Sequence, residues 1–224
     1  MVKLVIFDMD GLLIDSERLM WIPNELKTLE ELGYEADASF LNTLMGGAPK
    51  TNQEKYYKRY GKDFDLDYFY KLVNEYNRIS VENNEVPLKD GAIELLDYLK
   101  ENNIKICVGS SSAKDYAYQV LKKLNVFDRF DYVITRSDVE NAKPYPDIYL
   151  KCMSYFDFDK DECLVLEDAH SGLLAAKAAG CRCILVPDLG VLSKEDLNNA
   201  YKVLNNLKDV IDVIKEENER ASSI

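Results

Sequence analysis

The stretch VIFDMDGLLIDS, residues 5–16, runs an apolar segment straight into two aspartates one residue apart, and then a glycine. Carboxylates that close repel each other unless a positive group lies between them. An apolar strand that ends on such a pair points to chemistry placed beyond a strand's carboxyl end.

Four further apolar runs read as strands: IKICVG (104–109), YVIT (132–135), CLVL (163–166) and CRCILV (181–186). Most are continuously apolar, as strands buried on both faces are. Amphipathic stretches separate them: AIELLDYLKEN, DYAYQVLKKLN, DIYLKCMSYF and GLLAAKAAG. The third starts at Pro146 and Asp147, and the fourth closes on Gly180, which are sound helix start and stop signals. The alternation predicts an α/β fold with a doubly wound, Rossmann-like parallel sheet.

One region breaks the pattern. Residues 16–86 contain no strand-like run. They hold NELKTLEELG closing on Gly33, FLNTLMGG, and an aromatic-rich piece over 52–83. This predicts an α-helical cap domain at 16–86, inserted into a core made of 1–15 and 87–224, with linkers at 12–16 and 83–91. The cap tyrosines Tyr56, Tyr57, Tyr60, Tyr68, Tyr70 and Tyr76 read as helix packing and a wet aromatic surface. The polar tail IKEENERASSI reads as fraying.

Composition narrows the partners. The formal net charge is −12 over 224 residues, and no run of lysines and arginines forms a basic patch. Nucleic acid and anionic membranes are thereby disfavoured as partners. No apolar run approaches the ~20 residues of a membrane span. The chain opens directly into a strand rather than a secretory leader. The five cysteines are odd in number, and most lie in or beside apolar runs, so they read as reduced core residues. Cys181 and Cys183 form a C-x-C with no second pair nearby to complete a zinc site. A cytoplasmic monomer is the expectation.

Beyond the strand ends lie Asp8 and Asp10, then Ser110 and Ser111, then Lys143 and Pro144 in a loop, then Glu167 and Asp168. Four carboxylates in one site need a hard cation, and a ligand set of oxygens alone selects Mg²⁺ over zinc. A cation and a lysine together make a place for a phosphoryl group. One carboxylate can attack phosphorus, and a second from the same strand end can handle the proton.

The motifs DMDGLLIDS, GSSS, AKPYPD and LEDAHSGLLAAKAAG resemble, in order, those of the haloacid dehalogenase-like hydrolases, closest to the phosphatase and β-phosphoglucomutase branch. The resemblance spans residues 5–186. It implies Asp8 as nucleophile, Asp10 as general acid and base, and Ser110 and Lys143 as the motif serine and lysine. Gly11, Ser110, Ser111 and Lys143 would cradle the phosphate. The metal would take the Asp8 carboxylate, the Asp10 carbonyl and the Asp168 carboxylate, with Glu167 assisting directly or through water.

The departures favour hydrolysis. Mutases of this family use a cap histidine, and the equivalent position here is Met20; the only histidine is His170, in the fourth motif and read as a helix-start residue. The mutases' phosphate-binding cap arginine has only Lys50 as a counterpart, which cannot make the same bidentate contact. Ala169 stands where a serine or threonine is common. Gly46 and Gly47 resemble the family's cap substrate loop. The expected activity is Mg²⁺-dependent hydrolysis of a small phosphorylated metabolite. A sugar-phosphate mutase is the alternative, and a receiver-like phosphoacceptor domain, about half this length, a more distant one.

Overall fold

The computed structural model describes residues 1–47 and 49–222. Ala48, inside the loop MGGAPKTN, and Ser223 and Ile224 of the tail lie outside the described residues.

The described residues form a six-stranded, wholly parallel sheet. Its strands are β1 (Leu4–Phe7), β2 (Lys105–Gly109), β3 (Tyr132–Ile134), β4 (Cys163–Glu167), β5 (Arg182–Leu185) and β6 (Lys202–Val203), in the order β3-β2-β1-β4-β5-β6. This is the doubly wound order, in which the winding reverses beside β1. Every residue of β1 is fully buried. Val5 and Phe7 enter one apolar cluster while Leu4 and Ile6 enter the other, so the period-2 alternation of the strand feeds two cores at once.

Core helices α5 (Ala92–Glu101), α6 (Lys114–Lys123), α7 (Asp147–Phe156), α8 (His170–Ala178), α9 (Lys194–Asn199) and α10 (Val210–Ser222) cover the sheet. The strand β6 falls outside the apolar runs, because it is only two residues long and half-exposed. The fraying expected from residue 214 onward is corrected: Ile214 is fully buried, Glu217 pairs with Arg182, and Asn218 accepts the Val2 amide at 2.8 Å. These contacts extend the helix to Ser222. All five cysteines are buried and free, and all lie in one cluster.

Between β1 and β2 the chain is helical. A π-helical turn (Glu17–Trp21) leads into α1 (Ile22–Glu31), α2 (Ala38–Asn42), α3 (Pro49–Tyr60) and α4 (Leu66–Glu82), the four helices of the insertion among the described residues. Gly33 and Gly61 take left-handed conformations at the ends of α1 and α3. These helices pack around their own apolar cluster, centred on Tyr56, Phe64 and Phe69. The two linkers lie side by side. The Asp15 amide donates to the Pro87 carbonyl at 2.9 Å and the Lys89 amide to the Leu13 carbonyl at 2.9 Å, with an antiparallel bridge between Ile14 and Leu88. Asp188, in the loop after β5, ties them to the core: its Oδ1 accepts Arg18 at 2.6 Å and Lys89 at 2.8 Å.

Candidate active site

The sheet fixes the strand ends through its hydrogen bonds. The Asp8 amide donates to Leu166 at 3.0 Å, the Ser110 amide to Ile134 at 3.0 Å, and the Glu167 carbonyl accepts Val186 at 2.7 Å. Each residue at issue is therefore held by backbone ladders, which leaves its side chain free to face the edge. A cavity of about 580 Å³ opens there, lined by Asp8, Asp10, Ser110, Ser111, Lys143, Glu167 and Asp168. Of the residues expected at the phosphate, Gly11 does not line it. The Gly11 amide donates to Ile14 at 3.0 Å, and a Cβ there would collide with Asp168 Oδ2. Glu17, Gly46, Gly47 and Lys50 close the cavity from the insertion. Gly46 sits against Ala169, since a Cβ at Gly46 would strike the Ala169 side chain.

Lys143 is buried, and its ammonium bonds both Asp8 Oδ1 and, at 2.7 Å, Glu167 Oε1. Tyr149 of α7 donates its hydroxyl to the same Glu167 oxygen, and its ring centroid lies 5.0 Å from the ammonium. Burial opposes the Lys143 charge, but Asp8 and Glu167 outweigh it and raise its pKa. Burial and the charge of Glu167 push the Asp8 carboxyl up to about 7, against the pull of Lys143. Burial and Asp8 push Asp168 up strongly. Glu17 is pushed up to about 8, by burial and then by Asp188. The pattern is one of too many buried carboxylates for a single ammonium.

Asp8, Glu167 and Asp168 each bring a carboxylate oxygen within 4.8 Å of the others. Glu167 spends its oxygens on Lys143, Tyr149 and, at 3.3 Å, the Asp168 amide. Asp168 Oδ2 is buried and makes no hydrogen bond, while Gly11 leaves room beside it. An orphaned carboxylate oxygen in an all-oxygen set fits a hard divalent cation. Asp8 and Asp168 have ligand atoms to spare; Glu167 is arranged to hold Lys143.

Other expectations fall around this centre. Ser110 Oγ accepts the Ser112 amide at 3.0 Å. Met20 is fully buried in the core cluster. His170 lies outside the cavity lining and bonds Asp196 at 2.6 Å. Ala169 stands at the start of α8 and supplies no side-chain cap. None of the six cap tyrosines lines the cavity; Tyr56 is the buried centre of the insertion, and Tyr70 edges a neighbouring cavity shared with Gly47 and Lys50. Sequence reasoning missed Glu17, Ser112, Tyr116 and Tyr149. The last two sit in amphipathic helices, where a tyrosine carries no signal beyond packing.

A family model described as haloacid dehalogenase-like hydrolase matches residues 5–186. Hexitol phosphatase B of Escherichia coli O157:H7 is 33% identical over 214 residues, covering 91% of this chain and 89% of that protein. The validoxylamine A 7′-phosphate phosphatase of Streptomyces hygroscopicus subsp. limoneus is 30% identical over 216 residues, covering 95% and 96%. Among solved structures, the β-phosphoglucomutase of Clostridium difficile superposes with a TM-score of 0.77 at 24% identity, covering 100% of both chains. That last likeness is one of fold.

Proposed function

The chain belongs to the haloacid dehalogenase-like hydrolases and is a phosphoric monoester hydrolase; we propose that it uses Mg²⁺ to remove phosphate from a small polyhydroxylated metabolite, through an aspartyl phosphate on Asp8. The observation that carries this reading is Asp8 itself. It stands buried at a strand end, bonded to Lys143, with a carboxylate oxygen within 4.8 Å of one of Asp168, and facing the cavity. The rim is polar: Glu17, Ser111, Arg136 and Asn141 offer partners for hydroxyl groups. Relatives named for hexitol and validoxylamine phosphates are consistent with such a substrate.

In this mechanism an Asp8 oxygen attacks phosphorus, the ester P–O bond breaks, and the leaving oxygen takes a proton from Asp10. Water then attacks the aspartyl phosphate. Asp10 takes its proton, the bond from phosphorus to Asp8 breaks, and inorganic phosphate leaves. Lys143 offsets charge between Asp8 and the transferring group, while Ser110 offers its hydroxyl to a phosphate oxygen. Mg²⁺, held by Asp8 and Asp168, would supply charge neutralisation at the phosphoryl oxygens. Residues 16–86 act as the cap that excludes water during the first transfer. No helix among the described residues is long and apolar enough to cross a membrane.

The test is a phosphate-release screen across sugar, polyol and nucleoside monophosphates, with Asp8→Asn alongside. The wild type should release phosphate with Mg²⁺ and Asp8→Asn should not; turnover by Asp8→Asn would sink the nucleophile assignment. Isomerised phosphate esters formed faster than free phosphate would shift the reading to a mutase. The absence of any cap histidine argues against that outcome.

A further inference from the structure

The Asp10 carboxyl is gripped by three hydroxyls from three different segments. Oδ1 accepts Ser16 at 2.7 Å and Tyr116 at 2.8 Å, and Oδ2 accepts Ser112 at 2.6 Å. Ser16 ends the first linker, Ser112 lies in the turn after β2, and Tyr116 stands in the first turn of α6. A carboxylate offers about four lone-pair positions. Two on Oδ1 and one on Oδ2 are taken, which leaves the second position of Oδ2 for the proton that Asp10 transfers.

Tyr116 is anchored on both sides. Its ring packs against the core cluster, and the Trp21 indole stands edge-on to it, with centroids 6.4 Å apart at 65°. Trp21 is the chain's single tryptophan, and it belongs to the turn that opens the insertion. Its neighbour Met20, at the position of the mutases' histidine, is buried in the core cluster and offers no hydrogen bond.

We propose that Tyr116 is the positioning residue for Asp10, aiming Oδ2 at the leaving-group oxygen from the core side, and that Trp21 transmits the cap's position to it. The proposal rests on the reading of Asp10 as general acid. Tyr116 keeps its own proton throughout: Asp10 gives a proton from Oδ2 to the leaving oxygen and regains one from water, while the phenol stays a donor to Oδ1. Burial, the largest influence on this phenol, pushes its pKa well above the ordinary value, in keeping with a permanent donor.

Leaving-group chemistry provides a readout that a structural role would not move. An alkyl phosphate needs its leaving oxygen protonated; 4-nitrophenyl phosphate, whose phenolate leaves readily, does not. Values of kcat/KM, which end at the first irreversible step, should be measured for sorbitol 6-phosphate and for 4-nitrophenyl phosphate. Tyr116→Phe should lose about 10- to 100-fold on the alkyl ester and under about 3-fold on the nitrophenyl ester, because positioned acid catalysis is worth about that much or more. Trp21→Phe, which reads the same arm from the cap side should Tyr116→Phe fail to fold, should show a smaller loss with the same selectivity. Equal losses on both esters, or none on either, would overturn the proposal. Asp10→Asn separates the two levels. An alkyl-selective loss in Asp10→Asn without one in Tyr116→Phe removes only Tyr116, whereas no selectivity in Asp10→Asn removes the general-acid reading and the proposal with it.

Discussion

Lys143 Nζ lies 2.7 Å from Glu167 Oε1 and bonds Asp8 with the same ammonium, so one buried lysine ties two buried carboxylates together. Tyr149 bonds the same Glu167 oxygen and lies under the ammonium. Sequence alone groups Glu167 and Asp168 as a pair of metal-binding acids. The geometry divides them: Glu167 has protein partners on both oxygens, while Asp168 Oδ2 has none.

That division predicts opposite phenotypes. Glu167→Gln should lower kcat by about 10- to 100-fold while the Mg²⁺ concentration for half-maximal rate stays within about 3-fold, the pattern of a lost orienting partner. Asp168→Asn should raise the half-maximal Mg²⁺ concentration by more than about 10-fold. Chelation of divalent cations should abolish wild-type activity, and added Mg²⁺ should restore it. Metal titrations of the steady-state rate check all three. A metal requirement that weakens in Glu167→Gln as much as in Asp168→Asn would place Glu167 on the ion.

Gly11 is the residue that lets Asp168 keep its free oxygen. Its φ of +85° is a conformation that L side chains rarely adopt, and a Cβ there would collide with Asp168 Oδ2. Gly11→Ala should therefore act twice. It should destabilise the fold by about 1–3 kcal/mol through backbone strain. It should also weaken Mg²⁺ binding by displacing Asp168. Denaturation with chelator reads the first effect, and the gain in thermal midpoint on adding Mg²⁺, smaller than in the wild type, reads the second.

The fold was legible where burial on two faces wrote itself into the chain. The apolar run of β1 sends Val5 and Phe7 to one core and Leu4 and Ile6 to the other, and carboxylates follow directly. Chain order alone then assembled Asp8, Ser110, Lys143 and Asp168 at one edge, because parallel strands deliver their carboxyl ends together. The strand β6 was hidden, since two half-exposed residues carry no period. The side-by-side linkers were hidden too, because the Asp15–Pro87 and Lys89–Leu13 bonds join residues more than 70 positions apart through backbone atoms that any sequence possesses. Tyr116 and Tyr149 were invisible for another reason: a tyrosine on an amphipathic helix looks the same whether its hydroxyl meets water or a carboxylate.

The insertion carries a buried acid of its own. Glu25 of α1 is 3% exposed, and its Oε2 accepts the Tyr56 hydroxyl at 3.0 Å in the apolar centre of the helical cluster. Burial pushes its carboxyl up to about 7 from an ordinary value of 4.5, with Tyr56 pulling weakly the other way. The folded protein therefore holds this proton over a range in which the unfolded chain has released it. Stability falls wherever the folded state binds more protons, so Glu25 should lower it progressively as pH rises from about 4.5 to about 7. The full swing is on the order of 3 kcal/mol. Glu25→Gln keeps the shape and a group able to meet the Tyr56 hydroxyl while removing the titration. Its unfolding free energy should match the wild type's most closely near pH 4.5 and exceed it increasingly toward pH 7. Asp8, Glu17 and Asp168 titrate in both proteins, so the difference between the two denaturant-derived curves isolates Glu25. A constant difference across that range would mean that Glu25 is already ionised inside the fold.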